Sequence, residues 1–329
     1  MKLAFFSTKS YDKEFFDPYH KKDIDLKYFE VRLYKDTANL AKDYDGVCVF
    51  VHDDLNEETL AILAKNGVKF VVLRCAGFNN VDLVAAKRFG IKVYRVPAYS
   101  PEAVAEHAIA LILTLNRKTH KAYNRIREGN FSLERLRGFN LHGKTVGVIG
   151  TGKIGSIFAK NMIGFGCNVI AYDKFENREI LAHGGTYVSF EKLLEQSDII
   201  SLHCPLNPET KHIINKESFK LMKDGMMLIN TSRGPLINTV DTIEALKSGK
   251  LGYLGIDVYE QEEQLFFKDL SESVIKDDVI ARLISFPNVL ITAHQGFLTK
   301  EALQQIAEVT IQNIKDYKAG SETQNQLKL

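Results

Sequence analysis

The sequence lacks the long apolar run that a membrane-spanning helix requires. No stretch approaches the roughly 18 apolar residues that such a helix needs. In the N-terminal segment, Lys9, Asp12 and Lys13 interrupt an apolar run that is too short for the core of a signal peptide. We therefore expect a cytoplasmic protein with no membrane partner.

A large excess of charge of either sign is also missing. Lys and Arg total 43, Asp and Glu total 41, and the formal net charge is only +2. The charges are interspersed, whereas a protein that binds nucleic acid usually carries a basic patch or stripe. Nucleic acid is therefore not an expected partner.

Cysteine is scarce, and its spacing matches neither a disulfide framework nor a metal site. The four cysteines are Cys48, Cys75, Cys167 and Cys204. They form no CxxC pair and have no histidine cluster at metal-ligand spacing. We interpret them as reduced thiols and expect no bound metal.

What the sequence does contain is enough apolar residues for two domains. At 329 residues and 45% hydrophobic composition, the chain exceeds the size of about 250–300 residues at which single cores stop growing. Its first hundred residues alternate helical segments with the β-rich runs KLAFFS, GVCVFV, KFVVLR and IKVYRV. This alternation predicts a parallel sheet with helices on both faces.

A break follows at Pro97 and Pro101, and it is a candidate domain hinge. Glu102 to about Arg127 is predicted to form one long helix, with Ser100 as its N-cap and Pro101 at the first helical position.

The predicted helix has an apolar face that should be buried. Its apolar residues recur at spacings of three and four, and they are Val104, Ala108, Leu111 and Leu115. His107 lies beside this face, and we interpret it first as a packed or interface histidine, with a catalytic role as the less favoured alternative.

A second alternating series predicts a complete dinucleotide-binding fold. Its strands are KTVGVIG, NVIAYD, DIISLH, GMMLIN, YLGID and NVLITAH, ending near His294. The remaining residues, a helical pattern from about Lys300 and a polar tail, are too few for a domain. We expect this segment to return to the first domain.

The segment GTGKIG has the features of a loop that binds a pyrophosphate. Gly150 permits the tight turn after a strand, Gly152 lets the backbone approach the phosphates, and Gly155 lets the next helix pack closely. The N-terminus of that helix offers N–H groups and a partial positive charge to the diphosphate.

Asp173 ends the following predicted strand, where a carboxylate accepts hydrogen bonds from the adenosine ribose and repels a 2′-phosphate. NAD is therefore favoured over NADP, although Lys174 could soften the preference. The alternative is a glycine turn in a purely structural unit.

Three later predicted strands each carry an ionisable residue just past their carboxyl ends. These residues are Arg233, Glu262 and His294, and they should converge beside the nicotinamide because ligands bind at that edge of a parallel sheet. Reduction of a 2-keto acid needs a carboxylate-binding group, which Arg233 can provide, and a proton donor, which His294 can provide. Glu262 could fix the tautomer of His294 and favour its imidazolium form. Taken singly, each of the three residues has a structural explanation.

At this point the chain resembles a known family over nearly its whole length. GTGKIG, HCPLNPET, NTSRG, DVYEQE and TAHQ, in this order, resemble the D-isomer-specific 2-hydroxyacid dehydrogenases. RCAGFNNVDL and VPAYSPEAVAEHA are similar to the bacterial fermentative D-lactate dehydrogenases within that family.

The resemblance implies a role for each catalytic residue. Arg233 would bind the substrate carboxylate, His294 would be the acid and base, and Glu262 would be its partner. Backbone groups of Ala76 and Gly77 would reach the same carboxylate.

The resemblance also implies the substrate. Tyr99 and Phe297 match positions that crowd the substrate side chain, which favours the methyl group of pyruvate and a product of D-lactate. The D hand follows from the resemblance alone.

Further cofactor contacts are implied in the same way. Beyond the glycines and Asp173, the implied residues are Lys153 and Ile154 at the pyrophosphate, His203, Cys204 and Pro205 at the adenine, and Thr231 and Asp257 near the nicotinamide.

The implied fold class is α/β, with two doubly wound parallel-sheet domains. A Rossmann-type NAD domain (101–296) would be inserted into a flavodoxin-like substrate domain (1–100 plus 297–329). A homodimer or homotetramer is expected, with contacts that include the region of the long helix.

One departure from the family pattern leaves a question open. Many members have Glu-Pro where this chain has Glu262 followed by Glu263. Glu260, Glu262 or Glu263 could therefore be the residue that meets His294, and register relative to DVY favours Glu262.

Two alternatives remain for the function. The enzyme could act on a branched 2-keto acid, hydroxypyruvate or glyoxylate. The chain could instead be a non-enzymatic NADH sensor of the corepressor type, although the complete set of Arg233, Glu262 and His294 argues against this.

Overall fold

The structure is a computed structural model that describes residues 1–20 and 24–328. Its contacts divide the chain into two compact units, Met1–Ser100 with Phe297–Leu329, and Pro101–Gly296. The first unit contains a six-stranded sheet and the second a seven-stranded sheet. Within the described residues, no helix is both long enough and apolar enough to cross a membrane.

The sheet of the first unit is parallel apart from its C-terminal strand. Its strands are β1 (Lys2–Phe5), β2 (Asp25–Tyr28), β3 (Gly46–Val49), β4 (Phe70–Leu73), β5 (Lys92–Tyr94) and β13 (Gln326–Leu327). Their order is β13-β5-β4-β3-β1-β2, and β13 runs antiparallel to β5. The parallel part has the predicted flavodoxin-like order, 2-1-3-4-5.

Burial explains which strands could be predicted from sequence in this unit. β3 and β4 are buried at every position because helices cover both faces of the sheet, and both read as continuous apolar runs. The edge strand β2 buries only Leu26 and carries the charged residues Asp25 and Lys27. It therefore lacks the apolar signal, and the sequence does not predict it.

Three helices of the first unit begin at a residue whose side chain caps them. The helices of this unit are α1 (Ser10–Phe16), α2 (Glu57–Lys65), α3 (Leu83–Arg88) and α12 (Lys300–Ala319). Short 3₁₀ turns lie at Asp17–Tyr19 and Ala38–Ala41. Asn56, Asp82 and Thr299 each accept a hydrogen bond from a backbone N–H of the first turn of α2, α3 and α12, respectively.

The second unit contains a wholly parallel Rossmann-type sheet. Its strands are β6 (Thr145–Ile149), β7 (Asn168–Tyr172), β8 (Thr186–Tyr187), β9 (Ile199–Leu202), β10 (Met226–Asn230), β11 (Leu251–Ile256) and β12 (Val289–Ile291). Their order is β12-β11-β10-β9-β6-β7-β8, which extends the dinucleotide-binding order 3-2-1-4-5-6 by one strand. The predicted fold class is confirmed. The two-residue strand β8 was not predicted because it is too short to show a period.

Helices flank this sheet, and short 3₁₀ turns follow two of its strands. The helices are α4 (Pro101–Arg117), α5 (Thr119–Arg127), α6 (Lys153–Gly164), α7 (Arg178–Ala182), α8 (Phe190–Gln196), α9 (Lys216–Leu221), α10 (Thr239–Lys247) and α11 (Asp278–Ser285). The 3₁₀ turns are Gly234–Leu236 and Glu262–Gln264.

The prediction of one long helix to about Arg127 is wrong. The helix begins at Pro101 as predicted, but Lys118 has a left-handed backbone (φ 53°), which interrupts the helical hydrogen bonds and separates α4 from α5. The ammonium group of Lys118 donates to the carbonyls of Arg135 and Arg137.

The apolar face of α4 is buried, as predicted. Its buried residues include Val104, Ala108, Leu111 and Leu115. Every residue of α5, in contrast, is at least partly exposed.

Candidate active site

The glycine loop follows β6 and needs two of its glycines for close backbone packing. Gly150 has φ 93°, and a Cβ there would lie 2.4 Å from the backbone nitrogen of Cys204. A Cβ on Gly155 would lie 1.9 Å from the carbonyl oxygen of Gly150. These contacts bring α6 against β6 and the loop against the end of β9.

Gly152 differs because the space beside it is open. Apart from its chain neighbours, no described atom lies within 4 Å of the place that a Cβ would take. Gly152 is the N-cap of α6, and no described side chain caps that end of the helix. The first N–H groups of α6 can therefore bind the diphosphate of a dinucleotide. Lys153 and Ile154 lie in the same turn, with Lys153 exposed and Ile154 half-buried.

Asp173, directly after β7, is held at the tip of the glycine loop. Its Oδ2 accepts hydrogen bonds from the backbone nitrogen of Thr151 at 2.6 Å and from the hydroxyl of Thr151 at 3.2 Å. The carboxylate therefore lies where it can accept ribose hydroxyls and repel a phosphate. The neighbouring Lys174 forms an ion pair with Glu209, which reduces its ability to attract a 2′-phosphate.

The end of β9 places His203, Cys204 and Pro205 beside the glycine loop. The backbone nitrogen of His203 donates to the carbonyl of Ile149 at 2.7 Å, and its Nε2 lies 2.9 Å from the Ser201 hydroxyl. Burial lowers the pKa of His203 to about 3, so its ring is neutral at physiological pH.

Cys204 is a buried, protonated thiol. Burial raises its pKa to about 11, which argues against a redox role. All four cysteines are buried and lie outside any disulfide bond, in agreement with their interpretation as reduced thiols.

Arg233 extends from a tightly held loop after β10. Buried Asn230 donates its amide to the carbonyl of Arg233 at 2.8 Å, and Ser232 donates its hydroxyl to the carbonyl of Cys204 at 2.8 Å. A Cβ on Gly234 would lie 2.2 Å from the carbonyl carbon of Tyr259, so this loop packs directly against the segment that follows β11. None of the described carboxylates forms an ion pair with Arg233, and its guanidinium can bind a substrate carboxylate.

Thr231 contributes a polar atom that lacks a protein partner. Its hydroxyl is buried and makes no hydrogen bond within the described part of the chain. An unpaired buried hydroxyl is costly unless a ligand or water satisfies it. The site after β10 therefore fits a cofactor that brings polar groups, and the open space at Gly152 fits the diphosphate of the same cofactor.

His294 and Glu262 form a hydrogen-bonded pair. The Nδ1 of His294 lies 2.8 Å from the Oε1 of Glu262, and the other oxygen of Glu262 accepts from the backbone nitrogen of Tyr259 at 3.0 Å. Of the three acidic residues considered, Glu262 is the one that meets His294. Glu260 instead contacts His212 and Thr239, and Glu263 is exposed.

Asp257 supports the segment that carries His294. Its carboxylate accepts from the Thr292 hydroxyl at 2.5 Å and from the backbone nitrogens of Gln295 at 2.9 Å and Gly296 at 2.8 Å. Its backbone carbonyl accepts from the nitrogen of His294 at 2.8 Å. Burial alone would raise the pKa of Asp257, but hydrogen bonds from His107 and Thr292 hold it below its ordinary value.

His107 and Thr292 contact Asp257, and the sequence did not predict either of them as a site residue. The Nε2 of His107 lies 3.0 Å from the Thr292 hydroxyl and 3.3 Å from the Oδ1 of Asp257. His107 is therefore a packed histidine, as first interpreted. It packs against Thr292 and Asp257, and Asp257 in turn holds the segment that carries His294. The position of His107 beside the buried face of α4 was the only available signal.

The remaining predicted substrate residues lie in the first unit. Ala76 and Gly77 follow β4, where they are half-buried. The rings of Tyr99 and Phe297 are 6.3 Å apart and nearly perpendicular, and Phe50 lies 5.7 Å from Phe297. These aromatic side chains form one cluster within that unit.

Comparisons with known proteins agree with this geometry. Residues 109–296 match the family described as the D-isomer specific 2-hydroxyacid dehydrogenase, NAD binding domain. A 2-hydroxyacid dehydrogenase homolog of Haemophilus influenzae is 54% identical over 99% of this chain and 98% of its own length. The D-lactate dehydrogenase of Escherichia coli is 51% identical over 99% of this chain and 100% of its own length.

A solved structure extends the similarity to the whole fold. The pyruvate reductase of Chlamydomonas reinhardtii superimposes with a TM-score of 0.95 at 47% identity, covering 99% of this chain and 98% of the other. The parallel sheets, the glycine loop and these similarities lead to one conclusion. The chain belongs to the D-isomer-specific 2-hydroxyacid dehydrogenase family and is an NAD-dependent D-2-hydroxyacid dehydrogenase.

Proposed function

We propose that this enzyme reduces pyruvate to D-lactate and that His294 is the proton donor. The observation that carries the proposal is the hydrogen bond of 2.8 Å between the Nδ1 of His294 and Glu262. A carboxylate at Nδ1 fixes the tautomer and favours the imidazolium, so that Nε2–H is the group available to the substrate. No described residue forms a hydrogen bond with that Nε2.

The reaction needs one hydride and one proton. NADH, when bound, would supply the hydride to the carbonyl carbon of pyruvate. His294 gives the proton from Nε2 to the carbonyl oxygen, and Glu262 stabilises the imidazolium before that transfer. In lactate oxidation the same nitrogen accepts the hydroxyl proton.

Arg233 orients the substrate in this proposal. Its planar guanidinium holds the carboxylate through two parallel hydrogen bonds and leaves the carbonyl turned toward His294. The absence of a described carboxylate partner for Arg233 supports this role, because an arginine already paired with Asp or Glu would have to exchange that partner. By the family resemblance, backbone groups of Ala76 and Gly77 would also bind the substrate carboxylate.

The two units have different roles in the proposal. The unit 101–296 would hold NAD through the glycine loop, Asp173 and the residues that follow β9, β10 and β11, and it carries Arg233 and His294. The unit formed by 1–100 and 297–329 would add the substrate contacts of Ala76, Gly77, Tyr99 and Phe297. The buried hydroxyl of Thr231 and the open space beside Gly152 support the assignment of the cofactor.

The aromatic cluster of Tyr99 and Phe297 favours pyruvate as the substrate, and so do the names of similar proteins. Two bulky rings leave room for a methyl group more readily than for a branched side chain. Proteins named D-lactate dehydrogenase and pyruvate reductase are about half identical to this chain over nearly its full length.

The proposal is tested by following NADH absorbance with purified protein and a panel of 2-keto acids. Pyruvate should give the highest kcat/KM, ahead of branched acids, hydroxypyruvate and glyoxylate, and a chiral assay should identify the product as D-lactate. His294→Ala and Arg233→Ala should each remove most of the activity. Tight NADH binding without turnover of any acid would favour the sensor alternative instead.

A further inference from the structure

We propose that Arg95 is a positioning residue that turns the peptide group between Ala76 and Gly77 so that its N–H faces the substrate carboxylate. This inference rests on the proposed function, in which these backbone groups bind that carboxylate. The Nη1 of Arg95 donates a hydrogen bond of 2.9 Å to the carbonyl oxygen of Ala76. The loop lies directly after β4, and Arg95 lies directly after the neighbouring strand β5.

All three carbonyl oxygens of residues 75–77 accept hydrogen bonds. The carbonyl of Cys75 accepts from the backbone nitrogen of Val96 at 3.2 Å. The carbonyl of Ala76 accepts from Arg95, and the carbonyl of Gly77 accepts from the thiol of Cys75 at 3.3 Å. The acceptor groups of the loop are thus all used within the protein.

The donor groups of the same loop have no such partners. Among the described residues, none accepts a hydrogen bond from the N–H of Ala76, Gly77 or Phe78. In a planar trans peptide the C=O and N–H point in opposite directions, so the bond from Arg95 to the Ala76 oxygen aims the Gly77 N–H away from Arg95. Backbone N–H groups from which no described residue accepts are available to an anion.

The C-terminal segment holds Arg95 in place. The backbone nitrogen of Arg95 donates to the carbonyl of Asn325 at 3.0 Å, and its carbonyl accepts from the amide of Asn313 at 2.9 Å. The two asparagines are joined by a hydrogen bond of 2.9 Å, and Asn313 is fully buried. The guanidinium carbon of Arg95 also lies 5.0 Å from the centre of the Phe78 ring.

The charge of Arg95 adds to its orienting effect. No described carboxylate forms an ion pair with Arg95, so its positive charge is not locally neutralised. A cation bound to the carbonyl of a peptide polarises that peptide and strengthens its N–H as a donor. Arg95 therefore favours anion binding without touching the substrate.

The test compares Arg95→Ala and Arg95→Lys with the control Arg88→Ala. Arg88 lies in the same unit, and its guanidinium carbon lies 4.8 Å from the centre of the Phe89 ring, but it is exposed and paired with Glu57. We expect Arg95→Ala to raise KM for pyruvate on the order of tenfold, the loss of about one charge-assisted hydrogen bond. KM for NADH and kcat should stay within about twofold of the wild type, as should all three constants for Arg88→Ala.

Two further measurements separate orientation from a general loss of structure. Millimolar guanidinium ion should lower KM for pyruvate in Arg95→Ala and leave the wild type unchanged, and Arg95→Lys should show an intermediate KM. An unchanged KM for pyruvate in both Arg95 variants would overturn the inference, as would an equal rise in the two KM values. If Arg95→Ala does not fold, Arg95→Lys decides alone by the same criterion.

The substrate preference of the wild type shows which of the two proposals fails. If the wild type prefers another 2-keto acid, the choice of pyruvate fails, and Arg95 is judged on KM for that acid because every such substrate carries the same carboxylate. If the wild type reduces none of these acids, both proposals are wrong.

Discussion

At the scale of single residues, the proposed chemistry depends on how His294 is held. Its backbone has φ 53°, a left-handed conformation that is strained for a residue with a side chain. Hydrogen bonds with Asp257 hold the residues around it, and Glu262 holds its ring. A strained residue maintained by several hydrogen bonds is typical of a functional position.

Removing the charge of Glu262 should slow the reaction, and the neighbouring Glu263 provides the control. Glu262→Gln keeps the shape but no longer favours the imidazolium of His294. We expect kcat/KM for pyruvate to fall about tenfold to a hundredfold. Glu263→Gln changes an exposed residue and should keep kcat/KM near the wild-type value. Equal activity of the two variants would contradict the assigned role of Glu262.

His203 should make the cofactor-free protein less stable in mild acid. Its pKa is lowered to about 3 in the folded state. An unfolded histidine titrates near 6.5, so the unfolded state binds more protons between these values and stability falls as pH decreases below about 6.5. Replacing His203 with Gln should therefore reduce the loss of unfolding free energy between pH 7 and pH 5, by about 1–2 kcal/mol.

Chemical denaturation at the two pH values measures this difference. His183→Gln, which alters an exposed histidine, should lose as much unfolding free energy as the wild type. The assignment of a neutral, enclosed His203 is wrong if His203→Gln also shows the wild-type loss.

At the scale of elements, we expect two glycines of the loop before α6 to have different roles. Gly155 should be needed for packing, and Gly152 for binding of the cofactor. Gly155→Ala would place a methyl group 1.9 Å from the carbonyl oxygen of Gly150 and should destabilise the fold, by about 1–3 kcal/mol or more. Gly152→Ala would place its methyl group in open space, in a backbone conformation that alanine can adopt. It should leave the melting temperature nearly unchanged and weaken NADH binding about tenfold or more.

Thermal melts and NADH titrations of both variants test this separation. Wild-type NADH affinity in Gly152→Ala would show that the diphosphate does not approach this position. A wild-type melting temperature in Gly155→Ala would show that α6 can move away from the loop at little cost.

Sequence patterns predicted these elements only where burial leaves an apolar run or an apolar face. The series of strands from β6 to β12 was recognisable because its longer strands are apolar and separated by helical segments. The end of α4 was not, because helical propensity continues through Lys118 into α5. The buried face of α4 ends at that point. The ammonium group of Lys118 donates to the carbonyls of Arg135 and Arg137, which lie in a later segment, and local helical propensity does not reflect such contacts.

At the scale of the whole molecule, the exposed apolar residues after α4 suggest self-association. Tyr123 and Ile126 on α5 are 62% and 55% exposed, and Phe131 and Leu133 beyond it are 75% and 82% exposed. Such a group of apolar side chains in water commonly marks a protein interface. We propose that a second copy of the chain covers them.

Light scattering after size-exclusion chromatography tests this proposal. The wild type should have the mass of at least two chains, and the double variant Phe131→Ser with Leu133→Ser should shift toward one chain. Val274→Ser is the matched control, because Val274 is 86% exposed in another segment and its loss should not change the mass. A wild type with the mass of one chain would rule out this assembly.

The sequence by itself determined the fold class, the cofactor and the set of candidate catalytic residues. These depend on local features: the spacing of glycines in the turn after β6, the alternation of apolar strands with helices, and ionisable residues that follow strand ends. Tertiary structure decided which of the acidic residues meets His294, what Asp257 supports and how Arg95 contacts the loop after β4. Those contacts join residues far apart in the chain, and the free energy that selects them arises only when the strands and helices pack.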